Sequence, residues 1–597
     1  MAENNLEDLP NSKPAKRTRT MEQGLDYAQS APKSVEATAL LPQGTSTLTS
    51  DVYSGVEDYF SRRDEVENRQ RAMGFDHACT IKASRKEQTA NAIIQKLKQL
   101  DKQRVYDTAE PRVGFAGQRH PRLVGDHFLS NVELIDRTDL LRVAQRMPKG
   151  AHLHIHFNAC LLPDVLLGIA KTMNRMFITC DRPLLPDHDY LSYQACEIQF
   201  CLIPPERERP GNLFTTTYQP RQTMPFDRFL GEFSSHYPHA SADEWLMSKV
   251  VFDEEESHNK LQTCAGQVIS ATFRSLFNYE RAYRVYTRWL LEDFVRDNIQ
   301  YAEIRPNFME TNQLVTDDGT SMINNDGIMA IIIDEYRRFQ AQTKGYFGGL
   351  KIIYCTPRVF SRDKVRFALN ECIRFKKQWP EWIAGFDLVG EEAQPNPLKA
   401  FIPEFLEFRQ QCRKENLDIP FLFHCGETLD IGTDTDGNLI DALLLNAKRI
   451  GHGFALARHP YVMEKMKERG VCLELCPISN EVLGLTPRIN GHSMYTLLAN
   501  NVHCTVSSDN GTFFRSTLSH DFYQVMIGRA DMSLHGWRQL IEWSLQHSCM
   551  SDGERQGVWV QWEKRWEEFL DWMLVEYGAL VADGGVHATA DPMPKSE

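Results

Sequence analysis

No run of eighteen or more apolar residues occurs in the 597-residue chain, so the sequence offers no membrane-spanning helix. The amino terminus, MAENNLEDLPNSKPAKRTRT, has no apolar core of a secretory signal, and the expectation is a cytoplasmic protein. Cysteine pairs at metal-ribbon spacing are missing too. The 14 cysteines are scattered singly, several inside apolar runs, as at Cys355, Cys472 and Cys504. That is the pattern of reduced, buried thiols rather than a disulfide framework. Cys180, Cys196 and Cys201 lie close enough together to pair or to share a metal. Net positive charge is absent: 67 Lys and Arg stand against 80 Asp and Glu, for a formal net charge of -13. Polyanions are repelled on average, which argues against nucleic acid as a partner. The one basic cluster, Lys13–Arg19 (KPAKRTR), reads as a weak nuclear-import-like patch in a polar tail. No internal repeat and no Gly-rich phosphate loop is visible.

What is present divides along the chain. Residues 1–50 are rich in Ser, Thr, Pro and Gln without periodicity and are expected to be a disordered tail. Residues 51–110 read as a helical arm, with Ile93, Ile94, Leu97 and Leu100 at helical spacing, fit to pack on the main body or on a second subunit. From 111 to 580 short strand-like runs alternate with helical patterns, and 581–597 form a second tail. The strands are Tyr301–Arg305, Leu350–Cys355, Ile383–Val389, Pro420–His424, Arg449–His452, Val471–Leu475 and His503–Ser507. Helices are expected near 262–298, 325–343, 361–378, 397–415 and 515–529. Alternation of this kind, with strands apolar on both faces, predicts parallel βαβ units. The expected fold class is α/β, a (β/α)₈ TIM barrel with an N-terminal helical extension and an insertion after the first strand. The insertion, about 162–228, is a Pro-, Asp- and Arg-rich stretch.

Four motifs sit where strand-like runs give way to loops: His154-Ile155-His156, His424-Cys425-Gly426-Glu427, Gly451-His452-Gly453 and Ser507-Ser508-Asp509. Such barrels keep their active sites at the carboxyl ends of the strands. A strand has a period of two, so His154 and His156 share a face. With His424 and Asp509 they make an N/O donor shell suited to Zn²⁺. His152 shares that face by parity but lies nearer the barrel floor, as a packed histidine. Glu427, just past the strand end, can face a metal-activated water without being a ligand and can carry a proton. His452 can orient that water or stabilise charge on the developing oxygen.

The segments PKGAHLHIHFNA, YAEIR, GFDLVGEE, FLFHCGET, DALLLNAKRIGHGFALARHP, CPISNEVLG and VSSDN resemble, in order and spacing, those of the adenosine deaminases. The wording is most similar to the adenosine deaminase-related growth factor branch. The resemblance spans about residues 110–545. It implies a barrel with one Zn²⁺ that converts adenosine or 2′-deoxyadenosine to the inosine product and ammonia, zinc-bound hydroxide attacking C6 of the purine. It implies that His154, His156, His424 and Asp509 hold the zinc, that Glu427 protonates N1 and that His452 assists the water. Gly390 would donate its backbone N–H to the purine, Glu391 would line the ribose side, and Glu303 and Arg305 would brace the strand end. It also implies a homodimer through the N-terminal helices.

Three positions depart from the family pattern. Asn510 stands where an aspartate usually meets the purine near N7, and an amide carries no charge there. Asn158 stands where an aspartate often meets the ribose, and Phe157 where the growth-factor branch places Asp. The rival readings follow from these departures: a deaminase of adenine, AMP or an N6-substituted AMP, with Arg362 or Arg458 taking a phosphate, or a non-catalytic barrel that binds a ligand. A two-metal hydrolase needs a lysine at the end of the fourth strand, and Lys351 lies at the wrong end of its run.

Overall fold

The apolar runs become eight parallel strands: β1 (Ala151–His156), β2 (Tyr301–Arg305), β3 (Gly349–Pro357), β4 (Ile383–Val389), β5 (His424–Cys425), β6 (Arg449–His452), β7 (Cys472–Leu475) and β8 (Cys504–Val506). Every residue of β2, β4, β6 and β7 is buried, as a wall covered on both sides requires. The structure is a computed structural model. It describes residues 54–582 apart from 114–116, 187–195, 204, 253–274, 310–312, 344 and 393–395. The expected tail 1–50 with Lys13–Arg19, the front of the 262–298 helix and nearly all of 581–597 lie outside the described residues.

The strands pair in chain order as two four-stranded sheets, β1–β2–β3–β4 and β5–β6–β7–β8. Single parallel bridges join them at both seams, Phe386 with Phe421 and Ile155 with Asp509. At the second seam the Asp509 N–H donates to the His154 carbonyl and the His156 N–H to the Asp509 carbonyl, both at 3.1 Å. Eight parallel strands thus run round in sequence order, in the α/β barrel architecture expected. Helices cover the wall. In Arg362–Gln378, buried Val365, Ala368, Leu369, Cys372, Ile373 and Phe375 recur at helical spacing, with Asp363 in the first turn and Lys376 and Lys377 in the last. The helix expected at 515–529 begins instead at Leu518. Arg515 is left-handed, with φ 55°, and caps the one-turn helix Gly511–Phe514 before it.

The insertion carries more structure than its composition announces. After the helix Pro163–Lys171, strand Met176–Cys180 pairs antiparallel with Ile198–Leu202 on one side and Met224–Pro225 on the other. Helix Phe226–His236 covers this sheet, and Phe200, Phe214, Phe226, Phe229, Phe233 and Trp245 pack beneath it. The boundary expected at 228 therefore falls inside a helix. The thiols of Cys180 and Cys196 are in hydrogen-bond contact here, while Cys201 stands apart; none of the three is in a disulfide. Among the described residues no helix is long and apolar enough to cross a membrane.

The arm resolves into helices Val56–Ala72, His77–Lys82 and Arg85–Asp101. The first buries no side chain. The third opens on a capping box at Ser84 and buries Ala90, Ile93, Ile94 and Leu97. It lies against the long helix Asp552–Tyr577, where the Trp566 indole N–H donates to the Glu87 carboxylate at 3.0 Å and Arg538 pairs with the same group. Truncating fully buried Ile94 to Ala should cost about 2–5 kcal/mol in urea unfolding. Val66→Ala, at a half-exposed position of the first helix, should cost less than about 0.5 kcal/mol.

Candidate active site

Five side chains predicted from four motifs meet at the carboxyl ends of the strands. The His154 and His424 rings lie 4.4 Å apart, His154 and His452 4.8 Å, and His156 and His424 5.2 Å between centroids. His156 Nε2 is 3.2 Å from both His424 Nε2 and Asp509 Oδ1, and His154 Nε2 is 3.5 Å from the same oxygen. Ligand atoms of His154, His424, His452 and Asp509 fall within 4.8 Å of one another. By distance alone His452 therefore competes with His156 for the fourth place. The backbone is bent to bring these groups in: His452 and Asp509 are left-handed, with φ 61° and 57°, a conformation that costs a non-glycine residue of order 1 kcal/mol or more. Gly451 is required by its neighbour, since a Cβ there would lie 2.8 Å from His154 Cε1.

A second layer holds the imidazoles. His154 Nδ1 lies 2.7 Å from Glu474 Oε2, and His424 Nδ1 lies 2.7 Å from Asp387 Oδ2. Carboxylates at Nδ1 put the proton there and leave the Nε2 lone pairs for the centre. Arg305 joins Asp387 and Glu474 at 2.8 Å each, and Arg449 joins Glu303 and Glu474 at 2.6 Å each. All five charged groups are fully buried. Burial works to raise Asp387, but the charges of His424 and Arg305 overrule it and leave its carboxyl below the ordinary range. Glu474 is likewise held low, burial being outweighed by Arg305 and Arg449. Glu303 and Arg305 thus brace the strand ends, as the resemblance implied. His152, also buried, accepts from the Ser508 N–H at 3.1 Å and serves packing.

The centre fits a divalent cation on three grounds. The donor set of imidazoles and one carboxylate is that of zinc sites. His154 Nε2 and Asp509 Oδ1 are buried without a hydrogen-bond partner. Burial raises Asp509, but its close contacts with His154 and His156 outweigh that and hold its carboxyl well below the ordinary range. In the layer behind, three carboxylates face two guanidiniums, so one negative charge remains; Asp509 adds a second, and a dication balances both.

Glu427 lies beside this group, its Oε1 without a hydrogen-bond partner and 3.3 Å from His452 Nδ1. Burial pushes its carboxyl well above the ordinary range, and the charge of Asp509 adds to that. The turn that carries it is held by Glu392, whose carboxylate accepts from the Gly426 N–H at 2.9 Å and the Glu427 N–H at 2.5 Å. Gly390 (φ 101°) and Glu391 are exposed at the end of β4. Asn158 and Asn510 are half-buried at the ends of β1 and β8, with amides not taken up by any described residue. Phe157 turns away, stacking on Tyr283 at 4.8 Å. Of the two arginines considered for phosphate, Arg362 is paired with Glu404 and Arg458 with Asp436. Glu474, Asp387, Glu392, Ser479 (2.7 Å from Asp509 Oδ2) and Asn480 escaped the sequence reading.

Fold and site together define a barrel-type hydrolase with a histidine- and carboxylate-lined centre. The sequence profile of the family described as Adenosine deaminase matches residues 246–562, over half of the chain. The chain is 30% identical over 525 residues to an adenosine deaminase of Lutzomyia longipalpis, covering 86% of this chain and 94% of the relative. It is 30% identical over 502 residues to adenosine deaminase 2-A of Danio rerio, covering 82% and 91%. Human adenosine deaminase 2 is 29% identical over 456 residues, covering 74% and 82%. The solved structure of an ADAL–IMP complex shares the fold with a TM-score of 0.50 at 15% identity, over 72% of this chain and 99% of that one. The chain belongs to the adenosine deaminase family, on its growth-factor-related branch, and is a hydrolase.

Asp387→Asn removes the carboxylate that orients His424 and should weaken divalent-metal binding about 10–100-fold in competition with a chelator. Unchanged affinity would show that His424 is oriented without it.

Proposed function

We propose that this protein deaminates adenosine and 2′-deoxyadenosine hydrolytically, with zinc held by His154, His156, His424 and Asp509. Zinc in such a site supplies Lewis acidity and lowers the pKa of water toward about 7. The observation that carries the proposal is Glu427: a carboxyl beside the metal-ligand cluster, its Oε1 buried without a hydrogen-bond partner and 3.3 Å from His452 Nδ1, with burial raising its proton affinity. A neutral acid so placed donates to N1 of a purine, which makes C6 electrophilic. Water adds at C6, and the amino group leaves as ammonia. The Gly390 N–H and the free amides of Asn158 and Asn510 would hold purine and ribose, with Glu391 on the sugar side. Nucleoside is favoured over nucleotide because both Arg362 and Arg458 are already committed to carboxylates. A homodimer through the N-terminal helices belongs to the same proposal, since helix Val56–Ala72 leaves Val56, Tyr59, Phe60 and Val66 exposed.

Ammonia release by the zinc-loaded protein should be fastest with adenosine and 2′-deoxyadenosine in a panel that includes adenine, AMP and N6-methyl-AMP. Preference for AMP or its N6-methyl form would overturn the nucleoside assignment. Glu427→Gln should keep its zinc and lose at least about 10²–10⁴-fold in kcat, because an amide delivers no proton. Near-normal turnover of that variant would remove Glu427 from the acid role.

A further inference from the structure

Asn480, His492 and the Met494 peptide form a buried line that ends on His452. The Met494 N–H donates to His492 Nδ1 at 3.0 Å. His492 Nε2 lies 3.1 Å from Asn480 Oδ1, and Asn480 Nδ2 lies 3.1 Å from His452 Nδ1. Asn480, His452 and His492 are all buried. Each link alone can be drawn in either direction; together they cannot. A backbone N–H only donates, so His492 Nδ1 accepts, and the proton of the neutral ring sits on Nε2. That Nε2–H needs an acceptor, which fixes the Asn480 oxygen toward His492 and its NH₂ toward His452. An NH₂ only donates, so His452 Nδ1 accepts, and the His452 proton sits on Nε2. The opposite order would set two donors face to face at Met494. Burial pushes His492 down to a pKa of about 3, and an Nδ1 that accepts a hydrogen bond in each ring leaves both rings neutral.

We propose that Asn480 and His492 are positioning residues that lock His452 in its Nε2–H tautomer, so that His452 meets the reacting centre as a hydrogen-bond donor and neither as a metal ligand nor as a base. Nδ1 is taken up by Asn480, and Nε2, the remaining ring nitrogen, has no lone pair to offer. This resolves the competition between His452 and His156: the protonated Nε2 leaves the fourth ligand place to His156. The catalytic consequence rests on the deaminase reading. A donor fixed before substrate arrives stabilises negative charge on the oxygen that adds to C6, and removing such a donor costs about 10²–10³-fold in kcat.

The test uses full-length, zinc-loaded protein with ring-¹⁵N histidine, the His452 signals being assigned by their loss in His452→Gln. Long-range ¹H–¹⁵N correlation should give the Nε2–H pattern in the wild type. In Asn480→Asp, where a carboxylate can only accept, it should switch to Nδ1–H. The same variant should keep its zinc and its KM for adenosine within a few-fold while kcat falls about 10²–10³-fold. His492→Gln preserves the order of acceptor and donor and should stay within a few-fold of the wild-type kcat. His492→Leu breaks that order and should not. An Nδ1–H pattern in the wild type, or an unchanged kcat in Asn480→Asp, would overturn the proposal. Should Asn480→Asp fail to fold, the wild-type spectrum and the His492 pair still decide it. A wild type that shows the Nε2–H pattern but releases no ammonia from adenosine would sink the deaminase reading and leave the tautomer standing.

Discussion

Three cationic or polarised groups converge on the carboxylate of Glu474: His154 Nδ1 at 2.7 Å, Arg305 Nη2 at 2.8 Å and Arg449 Nε at 2.6 Å. The group has no exposed surface. Burying an unpaired carboxylate costs several kcal/mol, so this one is tolerable only because its oxygens are engaged by charged donors. The network spans β1, β2, β4, β5, β6 and β7, and its outermost members, His154 and His424, are the proposed ligands. Metal site and barrel interior are therefore one electrostatic object. The proposed ligands His154 and His424 are aimed by hydrogen bonds that also fill the barrel's polar core, so a change in Arg305 or Arg449 reaches them through two contacts.

The parts of this arrangement written in contiguous motifs were legible in the sequence. His154-Ile155-His156 and His424-Cys425-Gly426-Glu427 name ligands and acid within a few residues of each other, because the pleat and the strand end fix which way those side chains go. The alternation of strand and helix patterns likewise placed all seven strands read after the first. Glu474 and Asp387 were not legible as site residues. Each stands alone in an apolar strand, in CLEL and GFDLV, where one acid says only that a partner exists across the barrel. Asn480 and His492 belong to a short helix and a loop, and their line exists only through a backbone N–H, which no residue code records. The insertion was legible only as a Pro-, Asp- and Arg-rich stretch between strands: its composition announced no element, while Ile178, Ile198 and Phe200 were enough to build a sheet.

The departures from the family pattern separate once they are placed. Phe157 is an aromatic core residue, packed with Tyr283 and Tyr286, so an aspartate there would be buried among rings. Asn158 and Asn510 keep the positions of the expected aspartates without the charge. The loss of charge is confined to the half-buried rim beside the cluster, while the layer of charged groups beneath it is complete.

The seam between β1 and β8 gives this site a history in time. Asp509 closes the ring through backbone bonds to His154 and His156 and supplies the only carboxylate proposed to touch the metal. During synthesis the two histidines are made more than three hundred residues before that partner exists. At ~5–20 residues per second, on the order of half a minute passes with imidazoles on the chain and no carboxylate to complete their shell. A chain that carries every residue of β1 to β7 thus still lacks one proposed ligand, and the segment that supplies it is the one that joins β8 to β1.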